Sequence, residues 1–274
     1  MLYMAGLGAF GNLRLLGRGS YVTLVRIQKP CTAHYPTSSK RYHVQPQQEP
    51  QPQQLAMSYN IDWIFQRMRF PNTAWYIVSQ IVITAVGLLA KFVLGVLPVK
   101  YVCNTFKIRW SMAAHDICFT NKFHSILFMF GKCIPVVRGI GVYQDAINLC
   151  IQKCALGHWV HVFPEGKVNM TKEQMRLKWG VGRIIYESPC IPIILPMWHE
   201  GMDEVLPNTE PYVLQWGKRV TLNIGEPLDL NGFIQDLKDR QVAEPEARKL
   251  ITDKIQDAFY HLGEETRKLH SKRL

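Results

Sequence analysis

The amino-terminal part of the chain almost completely lacks acidic residues. Residues 1–48 contain no Asp or Glu, and residues 1–56 carry six basic side chains against the single acid Glu49. These basic residues are Arg14, Arg18, Arg26, Lys29, Lys40 and Arg41. A basic, acid-free segment that can form an amphipathic helix is typical of a mitochondrial leader. We therefore predict a transit-like segment and a Gln/Pro-rich linker over residues 1–56, with a disordered basic tail as the alternative.

Patterns for metal and nucleic-acid binding are also missing. The seven cysteines are an odd, scattered set without a Cys-x-x-Cys pair, which predicts neither a zinc site nor a disulfide framework. No RNA-recognition signature or basic helix accompanies the net charge of +11. The positive charge therefore favours an anionic membrane surface as partner. We expect no cofactor and no nucleic-acid partner.

One long stretch has no charge of either sign. Residues 71–90 are uncharged and largely apolar, and about 20 apolar residues are enough to cross a bilayer. Gln80 inside the stretch and Lys91 just after it weaken a clean span, so a helix lying in the membrane surface is the alternative. In both cases we predict a membrane-associated helical segment over residues 57–99.

The start of this segment carries side chains that suit a membrane interface. Trp75 and Tyr76 lie near its beginning, and Arg67 and Arg69 precede them. Aromatic and basic residues at this position are typical of interface anchors. We therefore expect these four side chains to contact the lipid head-group region.

The remaining residues, 100–274, alternate short apolar runs with segments of helical periodicity. The predicted strands are 133–137, 158–163, 191–196 and 219–224. The predicted helices are 121–130, 142–156, 172–187 and 244–262. This alternation predicts an α/β domain in which a central mixed β-sheet is flanked by helices.

Two of these strands are followed directly by charged residues. Arg138 follows the strand in GKCIPVVRG and can bind a phosphate through two hydrogen bonds, although a surface ion pair is the simpler alternative. In HVFPEG, Glu165 can accept hydrogen bonds from a glycerol hydroxyl or orient Arg138. Gly166 allows a ligand to approach the backbone, and Lys167 adds a positive charge. An exposed turn with a solvated carboxylate is the alternative for this loop.

A third stretch, IPIILPMW, has Pro192 and Pro196 on either side of four apolar residues, and we predict that these prolines stop the strand. With the three stretches in this order, the chain resembles the glycerophospholipid acyltransferase superfamily. The matching residues are Gly131, Pro135 and Arg138, then Phe163 to Gly166, then Pro192 and Pro196. The resemblance implies a glycerolipid acyltransferase-like fold. It also implies substrate binding by Gly131, Arg138, Phe163, Pro164, Glu165, Gly166 and Lys167.

Longer stretches, such as GHWVHVFPEGKVNM, resemble mitochondrial members of this superfamily that remodel cardiolipin. This implies acyl transfer between a phospholipid, such as phosphatidylcholine, and a lysophospholipid without acyl-CoA. It also implies that the protein is peripheral or monotopic on a mitochondrial membrane and faces the intermembrane space. A membrane-associated oligomer can form there. An acyl-CoA-dependent lysophosphatidate acyltransferase is disfavoured, because its motif usually runs Glu-Gly-Thr-Arg where this chain has Glu165-Gly166-Lys167-Val168.

The catalytic His-x-x-x-x-Asp motif of the superfamily is absent. In that motif the His removes the proton of the acceptor hydroxyl and the Asp orients its ring. None of the nine histidines is followed by an Asp five residues later, and the adjacent pair His115–Asp116 has diverging side chains. The interval 90–107, where the motif is expected, contains neither His nor Asp. We therefore predict that a catalytic segment is missing and activity impaired; a non-catalytic, membrane-docked phospholipid-binding protein is the alternative.

Overall fold

The computed structural model describes residues 19–25, 60–94, 104–106, 108–169, 173–205, 207, 213 and 215–272, and in 19–25 and 87–94 it describes the backbone alone. The chain forms two compact units. The first contains Met1–Gly11 and Lys29–Val160, and the second contains Asn12–Gln28 and His161–Leu274.

The described strands and helices alternate along most of the chain. The strands are β1 (Gly19–Val25), β2 (Trp110–Ala114), β3 (Cys133–Val136), β4 (Val160–Val162), β5 (Ile193–Glu200) and β6 (Thr221–Ile224). The helices are α1 (Asp62–Arg69), α2 (Thr73–Leu94), α3 (His115–Cys118), α4 (Lys122–Phe130), α5 (Asp145–Ala155), α6 (Gly180–Glu187), α7 (Met202–Val205), α8 (Asn231–Asp239) and α9 (Glu244–Ser271). The predicted α/β class is confirmed.

The first unit contains a small parallel sheet. Strands β2 and β3 are parallel, with Ala114 opposite Val136 at the end of the ladder. Helices α3 and α4 make the crossover that two parallel strands require. Trp110 and Ile134 of these strands are completely buried. Because the strands are parallel, the residues that follow them in sequence lie at the same edge of the sheet.

Helix α2 buries one face and exposes another. Trp75, Ser79 and Ile83 recur every four residues and are buried, and Trp75 stacks on Trp110 with ring centroids 5.8 Å apart. Trp75 is therefore a core residue, so its prediction as an interface anchor is wrong. Ile77 and Ile81 lie on the opposite face and are exposed. Within the described ranges, no helix has the length and apolar character needed to cross a bilayer.

Gln80, which was expected to weaken a membrane span, and Arg69, which was predicted as an interface anchor, both have partners inside the first unit, whereas the side chain of Lys91 lies outside the described residues. The side-chain oxygen of Gln80 accepts hydrogen bonds from the backbone N–H and the hydroxyl of Thr105, at 3.0 and 2.7 Å. Arg69 donates to Asp145 at 3.2 Å. Gln80 is thus matched by protein groups, as a buried polar side chain requires.

The second unit contains an antiparallel sheet. Strand β5 pairs with β1 on one side and with β6 on the other, both antiparallel. Strand β1 falls within the segment predicted to be transit-like, and the rest of residues 1–56 lies outside the described residues. The transit-like assignment stays a prediction.

The prediction that Pro196 ends its strand is wrong. Strand β5 runs through Pro196 to Glu200, and Pro196 lies opposite Val22 of β1. Proline lacks the N–H that a ladder on both sides would need. The ladder with β6 begins only at Met197, one residue later. Pro196 therefore needs no N–H on that side, and its carbonyl accepts from the N–H of Gly225 at 2.9 Å.

Two helix boundaries also differ from those predicted. Residues 173–179 are not helical, because the N–H of Leu177 donates to the Gln256 side chain and that of Lys178 to the carbonyl of Pro164, at 2.9 and 2.7 Å. Helix α9 continues to Ser271 instead of ending at residue 262.

Four cysteines behave as expected of core residues: the thiols of Cys118, Cys133, Cys150 and Cys154 are buried and free. Cys190, in contrast, is disulfide-bonded, so the prediction of no disulfide is wrong at that position.

Candidate functional site

The motif residues of the first unit lie at the turn before β3 and at the edge after it. Gly131 ends helix α4, and its N–H donates to the carbonyl of Leu127 at 3.0 Å. A Cβ at this position would lie 3.4 Å from the carbonyl oxygens of Leu127 and Phe128. These are ordinary contact distances, so Gly131 lies at the turn between α4 and β3 without a steric requirement for glycine, and its role in substrate binding stays a prediction.

Arg138 forms an ion pair with Asp116. Both side chains are about half exposed. Asp116 follows β2 and Arg138 follows β3, so the pair joins the same edge of the parallel sheet. Of the two interpretations of Arg138, the surface ion pair is the one present here. His115 is buried at the same edge.

Two lysines that the sequence analysis did not single out are completely buried in the first unit. Lys132, in a left-handed conformation with φ +60°, donates to the carbonyl of Thr105. Lys153 of α5 donates to the carbonyl of Met68 at 2.7 Å. Their Nζ atoms lie 5.1 and 4.5 Å from the centroid of the Trp110 ring, within the range of cation–π attraction. Among the described residues, neither lysine pairs with a carboxylate.

We call Lys132, Lys153 and the nearby His158 the lysine cluster. Burial lowers the pKa of each of these three side chains. Burial, with a further contribution from Lys153, lowers the pKa of Lys132 to about 7. Burial and then Arg69 lower the pKa of Lys153 to about 8. Burial and both lysines lower the pKa of His158 to about 4. The cluster is thus a set of buried bases whose charged forms are disfavoured.

The Phe-Pro-Glu-Gly turn of the second unit is held from both sides. The N–H of Gly166 donates to the carbonyl of Phe163 at 3.0 Å, and the carbonyl of Pro164 accepts from Lys178. Gly166 has φ +70°, a conformation that glycine adopts without a steric penalty. Glu165 is only 7% exposed, so the alternative of a solvated carboxylate is wrong. The turn therefore holds a buried carboxylate in a fixed position.

Glu165 lines a small, partly open pocket in the second unit, which we call the Glu165 pocket; its interior space of about 20 Å³ suffices for about one water molecule. Its walls come from the segment after the turn, from β5 and from helix α9. The lining residues are Glu165, Asn169, Glu173, Gln174, Met175, Leu177, Trp198, Phe259, Tyr260 and Arg267. Lys167 is exposed and is not among them. Of the predicted binding residues in this unit, Glu165 reaches the pocket, and Phe163, Pro164 and Gly166 form the turn that positions it.

The aromatic wall of the pocket is fixed by contacts with neighbouring elements. The indole N–H of Trp198 donates to Glu200 Oε1 at 3.0 Å. A Cβ at Gly263 would lie 3.1 Å from the Trp198 ring, so glycine lets α9 approach the indole closely. The guanidinium carbon of Arg267 lies 5.8 Å from the ring centroid of Trp198. The indole thus supports Arg267 at the pocket.

Tyr260 adds a neutral donor to the pocket. Burial raises its pKa, as do the nearby carboxylates of Asp257 and Glu165, although Arg176 opposes them. The phenol therefore keeps its proton at neutral pH. Tyr260 and Arg267 lie seven residues apart and so on one face of α9, which was the signal that sequence reasoning missed. The pocket combines two carboxylates (Glu165 and Glu173), a phenol and a guanidinium, which can form hydrogen bonds with a small polar group such as a hydroxyl.

A metal ion has no evident site in this part of the molecule. Over the described ranges, no group of three or more His, Cys, Asp or Glu side chains is arranged to hold one.

Comparison with known proteins agrees with the motifs. Residues 95–200 match the acyltransferase family. The chain is 63% identical over 265 residues to Tafazzin of Drosophila melanogaster, which covers 81% of this chain and 70% of that protein. It is 31% identical over 185 residues to Taffazin of Dictyostelium discoideum, covering 64% and 65%.

A plant relative and the solved structures complete the comparison. N-acylphosphatidylethanolamine synthase of Arabidopsis thaliana is 42% identical over 129 residues, which is 45% of either chain. No solved structure matches. The extent and the identity of the fruit-fly match show that this chain belongs to the tafazzin family and carries an acyltransferase domain.

Proposed function

We propose that the chain is a phospholipid–lysophospholipid transacylase of the tafazzin type that remodels cardiolipin acyl chains on mitochondrial membranes, and that its turnover is impaired. The observation that carries the proposal is the buried carboxylate of Glu165, held by the Phe-Pro-Glu-Gly turn at a pocket within the second unit. A carboxylate fixed in this way can accept a hydrogen bond from an acceptor hydroxyl of a lysophospholipid.

The proposed reaction exchanges one ester for another. The hydroxyl oxygen of the lysophospholipid attacks the ester carbonyl carbon of the donor phospholipid, and its proton passes to a general base. The tetrahedral intermediate then expels the donor glycerol oxygen, which takes up that proton. The products are the acylated acceptor and a new lysophospholipid, so no acyl-CoA is consumed. Glu165 would hold the acceptor hydroxyl in position for this attack.

The general base is what this chain lacks. The superfamily uses a His with an Asp five residues later, and no such pair occurs in residues 1–274. The extent of the fruit-fly match supports a missing segment. The match extends over 265 residues, whereas the part of this 274-residue chain that takes part in it is 81% of its length. Within the matched stretch, the fruit-fly protein therefore has about 40 residues that have no counterpart in this chain. We infer that the absent His and Asp belong to such residues.

Membrane docking is supported by the exposed apolar residues of the first unit, which we call the apolar face. They are Phe70, Ile77, Ile81, Phe106 and Phe123, each more than half exposed. Arg67 and Lys122 are exposed in the same unit. An apolar helix face with basic neighbours suits the surface of an anionic membrane. We propose that α2 lies along the membrane instead of crossing it.

The test of the reaction is acyl transfer from phosphatidylcholine to monolysocardiolipin in cardiolipin-containing vesicles. Since the general base is missing, we expect the purified chain to transfer no more acyl groups than its Glu165→Ala variant. The fruit-fly Tafazzin serves as the active reference under identical conditions. Transfer well above that of Glu165→Ala would disprove the impairment and show that another residue acts as base.

The alternative function is phospholipid binding without turnover. It is favoured by the absence of a His-x-x-x-x-Asp pair from residues 1–274, which leaves the chain without the general base that the superfamily uses. A peptide map across Val99–Val102 separates the two functions. A further segment with His and Asp there would restore the transacylase, and an uninterrupted junction in the cellular protein would leave the binding function.

Docking is tested by vesicle sedimentation. We expect Ile81→Asp to lower binding to cardiolipin-containing vesicles at least tenfold, because a charge in the apolar layer is costly. Leu222→Asp in β6, an equally exposed position in the second unit, is the matched control and should leave binding unchanged. Equal losses in both variants would show that the apolar face is not the docking surface.

A further inference from the structure

We propose that strand β6 is a self-association surface, through which two copies of this chain pair antiparallel and join their sheets. The partner is a second copy because the sequence around β6 is complementary to itself in this orientation. Acyl transfer plays no part in this contact, which lies in the second unit and goes beyond the proposed function. The oligomer expected from the sequence would thereby gain a defined surface.

Strand β6 lies at the edge of its sheet. Among the described strands it pairs with β5 alone, and it ends the strand order of the sheet. The N–H of Gly225 donates to the carbonyl of Pro196 at 2.9 Å, which continues this ladder by one residue. Because hydrogen-bonded pairs alternate along an antiparallel ladder, Ile224 and Leu222 direct their N–H and C=O groups towards the free edge. An edge of this kind can accept a further strand.

The side chains of β6 leave one face of the strand open. The hydroxyl of Thr221 lies 3.0 Å from Nδ1 of His270 in α9, so that face is covered. Leu222 and Ile224 lie on the other face and are 56% and 54% exposed, and Val220 is 40% exposed. No charged residue or proline interrupts these positions, although natural edge strands are commonly protected by such residues. Three apolar side chains therefore lie unprotected beside a free edge.

Charged residues of opposite sign lie at the two ends of this apolar stretch. Lys218 comes two positions before Val220, and Glu226 comes two positions after Ile224. Both charged side chains are exposed, and no ion pair in the described part of the chain engages either of them. Every second residue from 218 to 226 is thus basic, apolar, apolar, apolar and acidic in turn. An antiparallel copy presents the same order in reverse, so each charge meets its opposite.

These positions define the register of the pair. With Leu222 opposite the partner's Leu222, Val220 lies opposite the partner's Ile224 and Lys218 opposite the partner's Glu226. Because the pair is two-fold symmetric, the last two contacts occur twice. The backbone groups that face the free edge meet one another in this register, as hydrogen-bonded pairs require. In the next register with this backbone match, Val220 would lie opposite Glu226, which leaves the charges unmatched.

The contact is small, so the pair should be weak. Strand β6 has four residues, and interfaces of this size are typical of transient contacts. We therefore expect association only at micromolar or higher protein concentration, above that needed for vesicle sedimentation. Leu222→Asp would prevent the pairing but remains a valid control for membrane docking at the lower concentration.

Sedimentation equilibrium of the full chain over a range of concentrations should show a monomer–dimer equilibrium. Glu226→Lys should weaken the dimer about tenfold or more, because two ion pairs become two like-charge contacts. The double variant Lys218→Glu/Glu226→Lys exchanges the charges and should restore the dissociation constant close to that of the parent chain. Glu264→Lys changes the net charge equally at an exposed position of α9 and should have no effect. Thermal unfolding of each variant checks that the fold is retained.

Cysteine substitutions test the register. Leu222→Cys places a thiol opposite its own copy, where paired Cα atoms lie about 5.5 Å apart and can be bridged by a disulfide. Mild oxidation should therefore give a covalent dimer of this variant. Ile224→Cys is similarly exposed but lies opposite residue 220 of the copy, so it should give little.

Four results would overturn the proposal. The first is a parent chain that stays monomeric at its highest soluble concentration. The second is association that Glu226→Lys leaves unchanged, because it would come from another surface, such as the apolar face of the first unit. The third is a double variant that fails to recover the dimer. The fourth is equal cross-linking of Leu222→Cys and Ile224→Cys, which would exclude this register.

Discussion

The two units of the molecule use their charged motif residues in opposite ways. In the first unit, Arg138 is paired with Asp116, and the lysine cluster is buried against backbone carbonyls and an indole ring. In the second unit, Glu165 and Arg267 face a pocket, and Arg267 has no ion pair among the described residues. The motif pattern is thus spread over both units, and the motif carboxylate that lines a pocket, Glu165, lies in the second. A motif match identifies residues, and their partners decide which of them can bind.

The units also differ in how they compensate buried charge. In the second unit the buried guanidinium of Arg183 is neutralised by Glu187 one helical turn away. In the first unit Lys132 and Lys153 are buried without a described carboxylate partner. An unpaired buried charge is costly and is relieved by loss of the proton. Between pH 9 and pH 7 the first unit should therefore respond to pH more strongly than the second, whereas below pH 6.5 the second unit also responds, because burial lowers the pKa of its His199 to about 3.

The largest expected effect is a loss of first-unit stability as the pH falls. The pKa values of Lys132 and Lys153 are lowered from 10.5 to about 7 and about 8. Between pH 9 and pH 7 the unfolded chain therefore binds more protons than the folded one. The free energy of unfolding should decrease by about 3 kcal/mol as the pH is lowered from 9 to 7. Above pH 9 the buried thiols of Cys133 and Cys154 oppose this trend, because burial raises their pKa values to about 12.

Hydrogen exchange resolved by peptide, corrected for intrinsic rates, measures this difference. Protection around Trp110 and Leu149 should decrease from pH 9 to pH 7, and protection in α9 should not. The loss should continue below pH 6.5, since burial lowers the pKa of His158 to about 4. Lys132→Met removes the larger of the two lysine shifts and should flatten the pH dependence. Equal pH dependence in both units would contradict the contrast.

A smaller effect, confined to the second unit, is expected from Gly182→Ala in α6. The added Cβ would lie 2.6 Å from Thr252 Oγ1 and closer still to the carbonyl oxygen of Arg248. The α6–α9 contact would have to open, at a cost of about 1–3 kcal/mol. Gly232→Ala in α8 is the control, because nothing lies within 4 Å of its Cβ position, and it should be neutral or slightly stabilising. Thermal denaturation compares the two; similar midpoints would refute the close packing.

The elements of the two units also differ in how well they could be predicted from the sequence alone. Strands and helices with clear periodicity, such as 133–137 and 121–130, were predicted close to their observed positions because local pattern and burial agree there. Strands β1 and β2 were missed. Strand β1 lies in a segment whose composition favours a leader, and its pairing with β5 depends on residues about 170 positions away. Long-range pairing of this kind leaves no local signal.

The site could be predicted in part for a related reason. Glu165 and Gly166 stood out because a charge beside proline and glycine after an apolar strand is unusual. Arg267 and Tyr260 lie in an amphipathic helix in which charged and aromatic residues are ordinary. Their role depends on Trp198 and Gly263, which bring β5 and α9 into close contact. Arg138 is likewise not a free phosphate-binding residue because it is paired with Asp116. The parallel register of β2 and β3 places these two residues side by side.

The turn that carries Glu165 gives a third prediction, of about 1–2 kcal/mol. Gly166 and Gly157 both have left-handed backbones, with φ +70° and +79°. Alanine is strained there by about 1–2 kcal/mol in either case. Only at Gly166 would the new Cβ also press on the side chain of Lys178, at 3.2 Å. We therefore expect thermal denaturation to show a larger loss of stability in Gly166→Ala than in Gly157→Ala; equal losses would mean that Lys178 moves aside without cost.

The smallest expected effect concerns the ion pair of the first unit. Because Arg138 and Asp116 are about half exposed, their coupling in a double-mutant cycle of Arg138→Gln and Asp116→Asn should be about 0.2–1 kcal/mol. Neither substitution should change the affinity for sn-glycerol 3-phosphate, since the pair neutralises itself. A different result would reverse the contrast between the units. If Asp116→Asn strengthened glycerophosphate binding and Arg138→Gln weakened it tenfold, Asp116 would be competing with the ligand for Arg138, and the strand-end arginine would be a phosphate contact after all.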